Sequence, residues 1–190
     1  MAKFNRKIND TEIRIGEVRF GYVHVFEPGT DSAGKPDKYG ACLMIPKENK
    51  EAIKMIESCI EAAKEQGKVK KWNGRIPNGD RMNPLHDGDE ERYDKPEYQG
   101  MMYLNAKSKN RPGVRVLEAG RLSEPMGEED FYSGCWGAAN ISFFPYDSNG
   151  NRGVGVSLGN VVKTRDDEKF SGGMSADAAF ADLADDDFDL

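Results

Sequence analysis

Histidine and cysteine are scarce, at two and three in 190 residues. Cys42, Cys59 and Cys135 are odd in number and far apart, which argues against a disulfide framework and against a paired-cysteine zinc or redox site. Reduced thiols in a cytosolic setting are expected. His24 and His86 leave little material for a nucleophilic triad, and no P-loop, GxSxG, HExxH or dinucleotide fingerprint occurs. No apolar run approaches the roughly 18 residues of a membrane span. Residues 1–10 mix charges and lack an apolar leader, so secretion is not expected. The last absence is of positive charge: residues 171–190 hold six acids and no Lys or Arg. Those six account for the whole net charge of −6, leaving 27 acids against 27 bases in residues 1–170. The low pI of 5.1 therefore reports the tail and does not exclude nucleic acid.

Glycine is plentiful, at 21 residues, and with nine prolines it favours a strand-based, loop-rich fold. Residues 1–170 are expected to form one domain, long enough to bury an ordinary core. Ser171-Gly172-Gly173 is expected to link it to a disordered acidic tail over residues 171–190.

Residues 13–26 alternate at period two, with Val18, Phe20, Tyr22, His24 and Phe26 on one face, a strand signal. Residues 39–45 give a second strand, stopped by Pro46. Residues 47–66 change period: Ile53, Ile56, Ile60 and Ala63 recur every three or four positions, predicting an amphipathic helix with Gly67 as its stop. Residues 69–100 lack a clean period. Residues 101–109 read as a strand with Met102, Leu104 and Ala106 on one side and Tyr103, Asn105, Lys107 and Lys109 on the other. A short strand is expected at residues 114–117, then a charged loop. Residues 135–146 form a strong strand with Cys135, Ala139, Ile141 and Phe143 facing the core. Asn149-Gly150 marks a hairpin into a return strand over residues 153–163. Five or so short antiparallel strands and one helix predict a mainly β fold: a Greek-key barrel of the OB type.

Mixed aromatic and basic strand faces are the sharpest feature. Tyr103, Asn105, Lys107 and Lys109 line one; Trp136, Asn140, Phe144 and Tyr146 line another, beside a glycine-rich strand that leaves room for a ligand. Bases stack on flat rings while cations track phosphates, so single-stranded nucleic acid suits this pattern. Packing against a helix or a second copy suits it too. Lys70, Lys71, Trp72 and Arg75 follow the helix; they fit a solvated helix end, but a Trp in a polar loop has little core to join. Residues 86–91 hold only fragments of a hard-cation loop, so neither metal nor cofactor is expected. A metal-dependent nuclease acting through them is the least favoured reading. The tail interleaves acids with Phe180, Leu183, Phe188 and Leu190, which suits a segment that binds basic grooves, or a solubilising extension.

The ordered blocks Tyr132-Ser133-Gly134-Cys135-Trp136, residues 140–146, Gly150-Asn151-Arg152-Gly153-Val154 and Leu158-Gly159-Asn160-Val161-Val162-Lys163 resemble a bacteriophage single-stranded-DNA-binding protein family, formerly classed only as a domain of unknown function. Pro84-Leu85-His86-Asp87-Gly88-Asp89, Tyr98-Gln99-Gly100, Asn105-Ala106-Lys107-Ser108 and Arg111-Pro112 fit the same pattern. The resemblance covers most of residues 12–170. It implies an OB fold and a non-enzymatic, sequence-tolerant role in phage DNA replication, recombination or repair, in the cytoplasm of an infected bacterium. The acidic-tailed single-stranded-DNA-binding proteins of short-tailed coliphages are similar in design. Their tail ends in an aromatic, whereas here Phe188 is third from the end; at Ala138 the chain also lacks a basic residue that the pattern implies.

On this reading Tyr103, Trp136, Phe144 and Tyr146 stack bases, with Trp72 adding a loop contact. Lys107, Lys109, Arg111, Lys70, Lys71 and Arg75 contact phosphate, and Asn105 lies among them. The tail residues Asp182, Asp185, Asp186, Asp187, Phe188, Asp189 and Leu190 compete for the DNA site and recruit phage or host replication proteins. Duplex is expected to bind once the tail is removed. The rival reading makes the aromatic face a protein–protein interface, in a homodimer or with another partner.

Overall fold

The computed structural model describes residues 4–170; the acidic tail lies outside them. Strand β1 (Arg6–Lys7) turns at Asn9, whose side-chain oxygen accepts from the Thr11 N–H, into β2 (Glu12–His24). Strand β3 (Tyr39–Pro46) pairs antiparallel with β2. Helix α1 (Lys50–Lys70) follows, then β4 (His86–Asp87), the short α2 (Gly88–Glu91), β5 (Met101–Ser108), the hairpin β6 (Val114–Glu118) and β7 (Arg121–Ser123), and the long hairpin β8 (Trp136–Ser148) and β9 (Asn151–Arg165). Among the described residues these nine strands form one sheet.

Five of them close on themselves. β5 pairs with β3, β3 with β2, β2 with β8 and β8 with β9. A parallel bridge from Lys107 to Ser157 joins β9 back to β5. The result is a closed Greek-key barrel of the OB type. β6 and β7 extend the sheet from the far end of β9.

Alternation fills the barrel. Ile13, Ile15, Val18, Phe20, Leu43, Leu104, Ile141, Phe143, Val156 and Leu158 point inward and are buried. Two breaks in β2 reset its alternation. The register with β8 shifts between Ile15 and Val18, and that with β3 shifts between Gly21 and His24. Tyr22 adopts φ 47° at the second, which turns its ring outward to 51% exposure and returns Val25 to the core. The single face expected from Val18 to Phe26 is therefore split.

α1 packs its apolar stripe, Ala52, Ile56, Cys59, Ile60 and Ala63, on β8 and β2. Asn49 caps it by accepting from the Ala52 N–H. It begins three residues later than expected and runs past Gly67. Gly67 is not a stop. A Cβ there would meet the Trp72 ring and Pro145 at 2.5 to 2.7 Å, so glycine lets the indole lie against the helix. The segment after α1 is packed, with Met82, Leu85 and Tyr98 buried by short helical turns. Among the described residues no helix is long and apolar enough to cross a membrane.

Candidate nucleic-acid interface

OB barrels take up oligonucleotides on the outer face of their second and third strands and on flanking loops. Here those strands are β3 and β5. Their outward positions, Gly40, Cys42 and Met44 opposite Lys107, Asn105 and Tyr103, form one surface with two unlike halves.

The upper half is open. A polar groove of about 280 Å³ runs between this surface and the loop joining β2 to β3, lined by Tyr22, His24, Lys38, Tyr39, Asn105 and Lys107. Asn105 and Lys107 are exposed at its floor, and exposed Lys109 and Arg111 continue the chain beyond it. The Arg111 guanidinium lies 6.0 Å from the Phe26 ring. Lys95 reaches across to donate to the Tyr22 hydroxyl at 2.9 Å, and this contact raises its pKa.

The lower half is covered from within the chain. Tyr103, expected to stack bases, is 3% exposed. It meets Tyr98 edge-on at 4.9 Å, stacks against His86 at 5.1 Å and donates its hydroxyl to Glu91 at 3.2 Å. Burial first, then Glu91, pushes its pKa up. Residues 86–91 are tied to structure: His86 contacts Glu91 at 3.1 Å, and Asp87 and Asp89 both clamp Lys47 at 2.8 Å. Their hydrogen bonds to Lys47 hold both carboxyls below the usual range. Among the described residues no group of three or more His, Cys, Asp or Glu side chains is placed so that it could hold a metal ion.

The other expected residues fall in two places. Trp136 is buried beneath residues 166–170, which strap back over the barrel; its indole donates to Asp167 at 2.8 Å and the Arg165 guanidinium lies 4.1 Å from its ring. Phe144 and Tyr146 sit on the β8–β9 hairpin. Their rings cover Gly155 and Gly153, so those glycines make room for cross-strand rings rather than for a ligand. Phe144 stays 44% exposed. Trp72 is a core residue at 1% exposure, its indole donating to the Tyr146 carbonyl at 3.1 Å, and is closed to base stacking. That bond brings the exposed Lys70, Lys71 and Arg75 to the hairpin end. The groove thus gathers Asn105 and Lys107 with residues the sequence reading had not assigned to the site: Tyr22, His24, Lys38 and Tyr39. Tyr22 was visible as a strand aromatic, but its left-handed turn leaves no compositional mark.

A family model described as the single-stranded-DNA-binding protein of Enterobacter phage Enc34 matches residues 11–190. The chain belongs to this family. It is 35% identical over 180 residues to a putative protein p50 of Acyrthosiphon pisum secondary endosymbiont phage 1, covering 91% of this chain and 94% of that one. The Enc34 protein in complex with single-stranded DNA superposes with a TM-score of 0.72 at 31% identity, over 87% of this chain and 96% of that chain. The single-stranded-DNA-binding protein gp2.5 of bacteriophage T7 shares the fold, with a TM-score of 0.50 at 16% identity over 96% and 99% of the two chains.

Proposed function

We propose that this protein binds single-stranded DNA without sequence preference, along the open half of the β3–β5 face, and does no chemistry on it. The observation that carries the reading is the groove itself. An outward Tyr22 flanks a floor of Asn105 and Lys107 in the place where this fold takes up oligonucleotides. Tyr22 stacks a base; Lys38, Lys107, Lys109 and Arg111 follow the phosphates. Lys70, Lys71 and Arg75 form a second basic surface, near the hairpin through the Trp72–Tyr146 bond, over which the strand continues. The body is neutral overall, so binding depends on this clustering and not on net charge.

The acidic tail acts as a competitor for the groove and as a hook for replication proteins, placing the protein in phage replication or recombination in the cytoplasm of an infected bacterium. The rival reading of the aromatic face as a dimer interface has less to rest on, since Tyr103 and Trp136 are already covered within the chain.

The test is a fluorescence titration with oligo-dT at several salt concentrations. Four to six phosphate contacts give a log–log salt slope of about −3 to −4, at about −0.7 per contact. Lys107→Glu, at an exposed position, weakens binding and flattens the slope. Binding that ignores salt, or that Lys107→Glu leaves unchanged, overturns the reading.

A further inference from the structure

The strap over the lower half of the binding face ends in an aromatic ring set as a stacked base would be. The Phe170 ring centroid lies 4.3 Å from the Arg19 guanidinium. Beneath it is Gly21, whose missing side chain leaves ring carbons 3.5 and 3.6 Å from the place of a Cβ. Its floor is the buried cluster of Cys42, Met44, Tyr98 and Tyr103. A flat ring between a guanidinium and an apolar floor has the surroundings that nucleobases find on single-strand-binding proteins.

This shelf adjoins the open groove. Gly21 pairs with Cys42, and Cys42 with Asn105, while Tyr22 and Cys42 also line the groove. The strap also carries acids that occupy cations and ring donors. Asp166 accepts from Lys163 and from the Tyr132 hydroxyl, both at 2.7 Å. Asp167 accepts from Trp136 and lies 3.5 Å from Arg19, which also donates to the Glu168 carbonyl. Lifting the strap would expose Arg19, Trp136 and Lys163 together, two cations and a ring.

We propose that the shelf on Arg19, Gly21, Met44 and Tyr98 is a nucleobase subsite of the single-strand groove, filled by Phe170 until DNA displaces it. This rests on the DNA reading above. The strap continues directly into the tail at Ser171, so filling the subsite also detaches the root of the tail.

The experiment compares the full chain with its Phe170→Ala variant. A subsite open about a tenth of the time weakens apparent binding about tenfold, so Phe170→Ala tightens oligo-dT binding by about that factor. It enlarges the occluded site by about one nucleotide. The salt slope stays the same, because no charge has changed. In the unmodified chain, saturating oligo-dT accelerates tryptic cleavage after Lys169, since the strap is lifted. Unchanged or weaker binding by Phe170→Ala, or protection of Lys169 by DNA, overturns the subsite. If Lys107→Glu still weakens binding in that case, the groove stands and only the subsite falls. If the unmodified chain binds no oligo-dT, the DNA reading fails first and takes the subsite with it.

Discussion

Tyr22 keeps a left-handed backbone, at φ 47°, and an exposed ring near the end of β2. Such geometry costs on the order of 1 kcal/mol in a non-glycine residue and persists where the surroundings enforce it. Here the Gly21–His24 register shift enforces it and points the ring into the groove. Tyr22→Ala should weaken oligo-dT binding by about 1–3 kcal/mol, the worth of one stacked base, with little change in melting temperature. Trp72 gives the opposite profile. Its indole is buried against Gly67 and Pro145, so Trp72→Ala should lower unfolding stability by about 3–5 kcal/mol, while the folded variant keeps the base stacking of the groove and loses only the basic contacts that the Trp72–Tyr146 bond holds at the hairpin end. Calorimetry and a titration on the two variants separate the roles. The two aromatics also show why sequence could not sort them. Trp72 sits among Lys, Asn and Gly, and its core contacts come from Pro145 and Tyr146, over seventy residues away. Tyr103 alternates correctly with Leu104 and Asn105, yet the aperiodic 86–98 segment just before β5 folds back over it.

Elements governed by a local period were legible. The 3.6-residue stripe of α1 and the inward alternation of β5, β8 and β9 follow from burying one face of each. What reset those periods was not. The bulges of β2 and the attachment of β6 to β9 depend on partners distant in sequence. The strap is the clearest case, because residues 166–170 form no regular element and are held by side chains. Asp167 is kept below its usual value of 3.8 by the Trp136 indole N–H, aided by the Glu168 N–H and Arg19. Asp166 is lowered by Lys163, then by Tyr132. Both carboxyls titrate lower when docked than when free, so docking is favoured while they are ionised. That contribution is complete above pH 3.8 and is lost as pH falls through the lowered values. Trp136 emission should therefore hold from neutrality down to that region and shift below it, while buried Trp72 gives a steady background. A shift centred in the histidine range would mean that other groups hold the strap.

Over the whole molecule, charge divides into a balanced barrel and an acidic extension. Removing residues 171–190 takes away six negative charges and no positive one. Affinity for single strands should rise, most strongly at low salt where screening is weakest, and duplex binding should appear. Titrations of both forms on single-stranded and duplex oligonucleotides check this; equal affinities at low salt would show that the tail acts only on partner proteins. The fold class was readable at this scale because strand count, helix position and turn signals all agreed. The position of the groove was not, since it depends on which outer face the chain itself covers.

The order of pairing around the barrel also bears on how the protein is made. β2 finds β3 soon after both leave the ribosome, but its other edge waits for β8, with Arg14 opposite Asn140 and Ile15 opposite Ala139. Closure comes later still, when β9 meets β5 through Lys107 and Ser157. Until then the apolar side of β2, β3 and β5 has only α1 to shelter it. The two pairings that close the barrel thus join early strands to late ones, so closure waits until synthesis is nearly complete. A nascent chain halted before residue 136 should remain protease-sensitive throughout, with no stable N-terminal half.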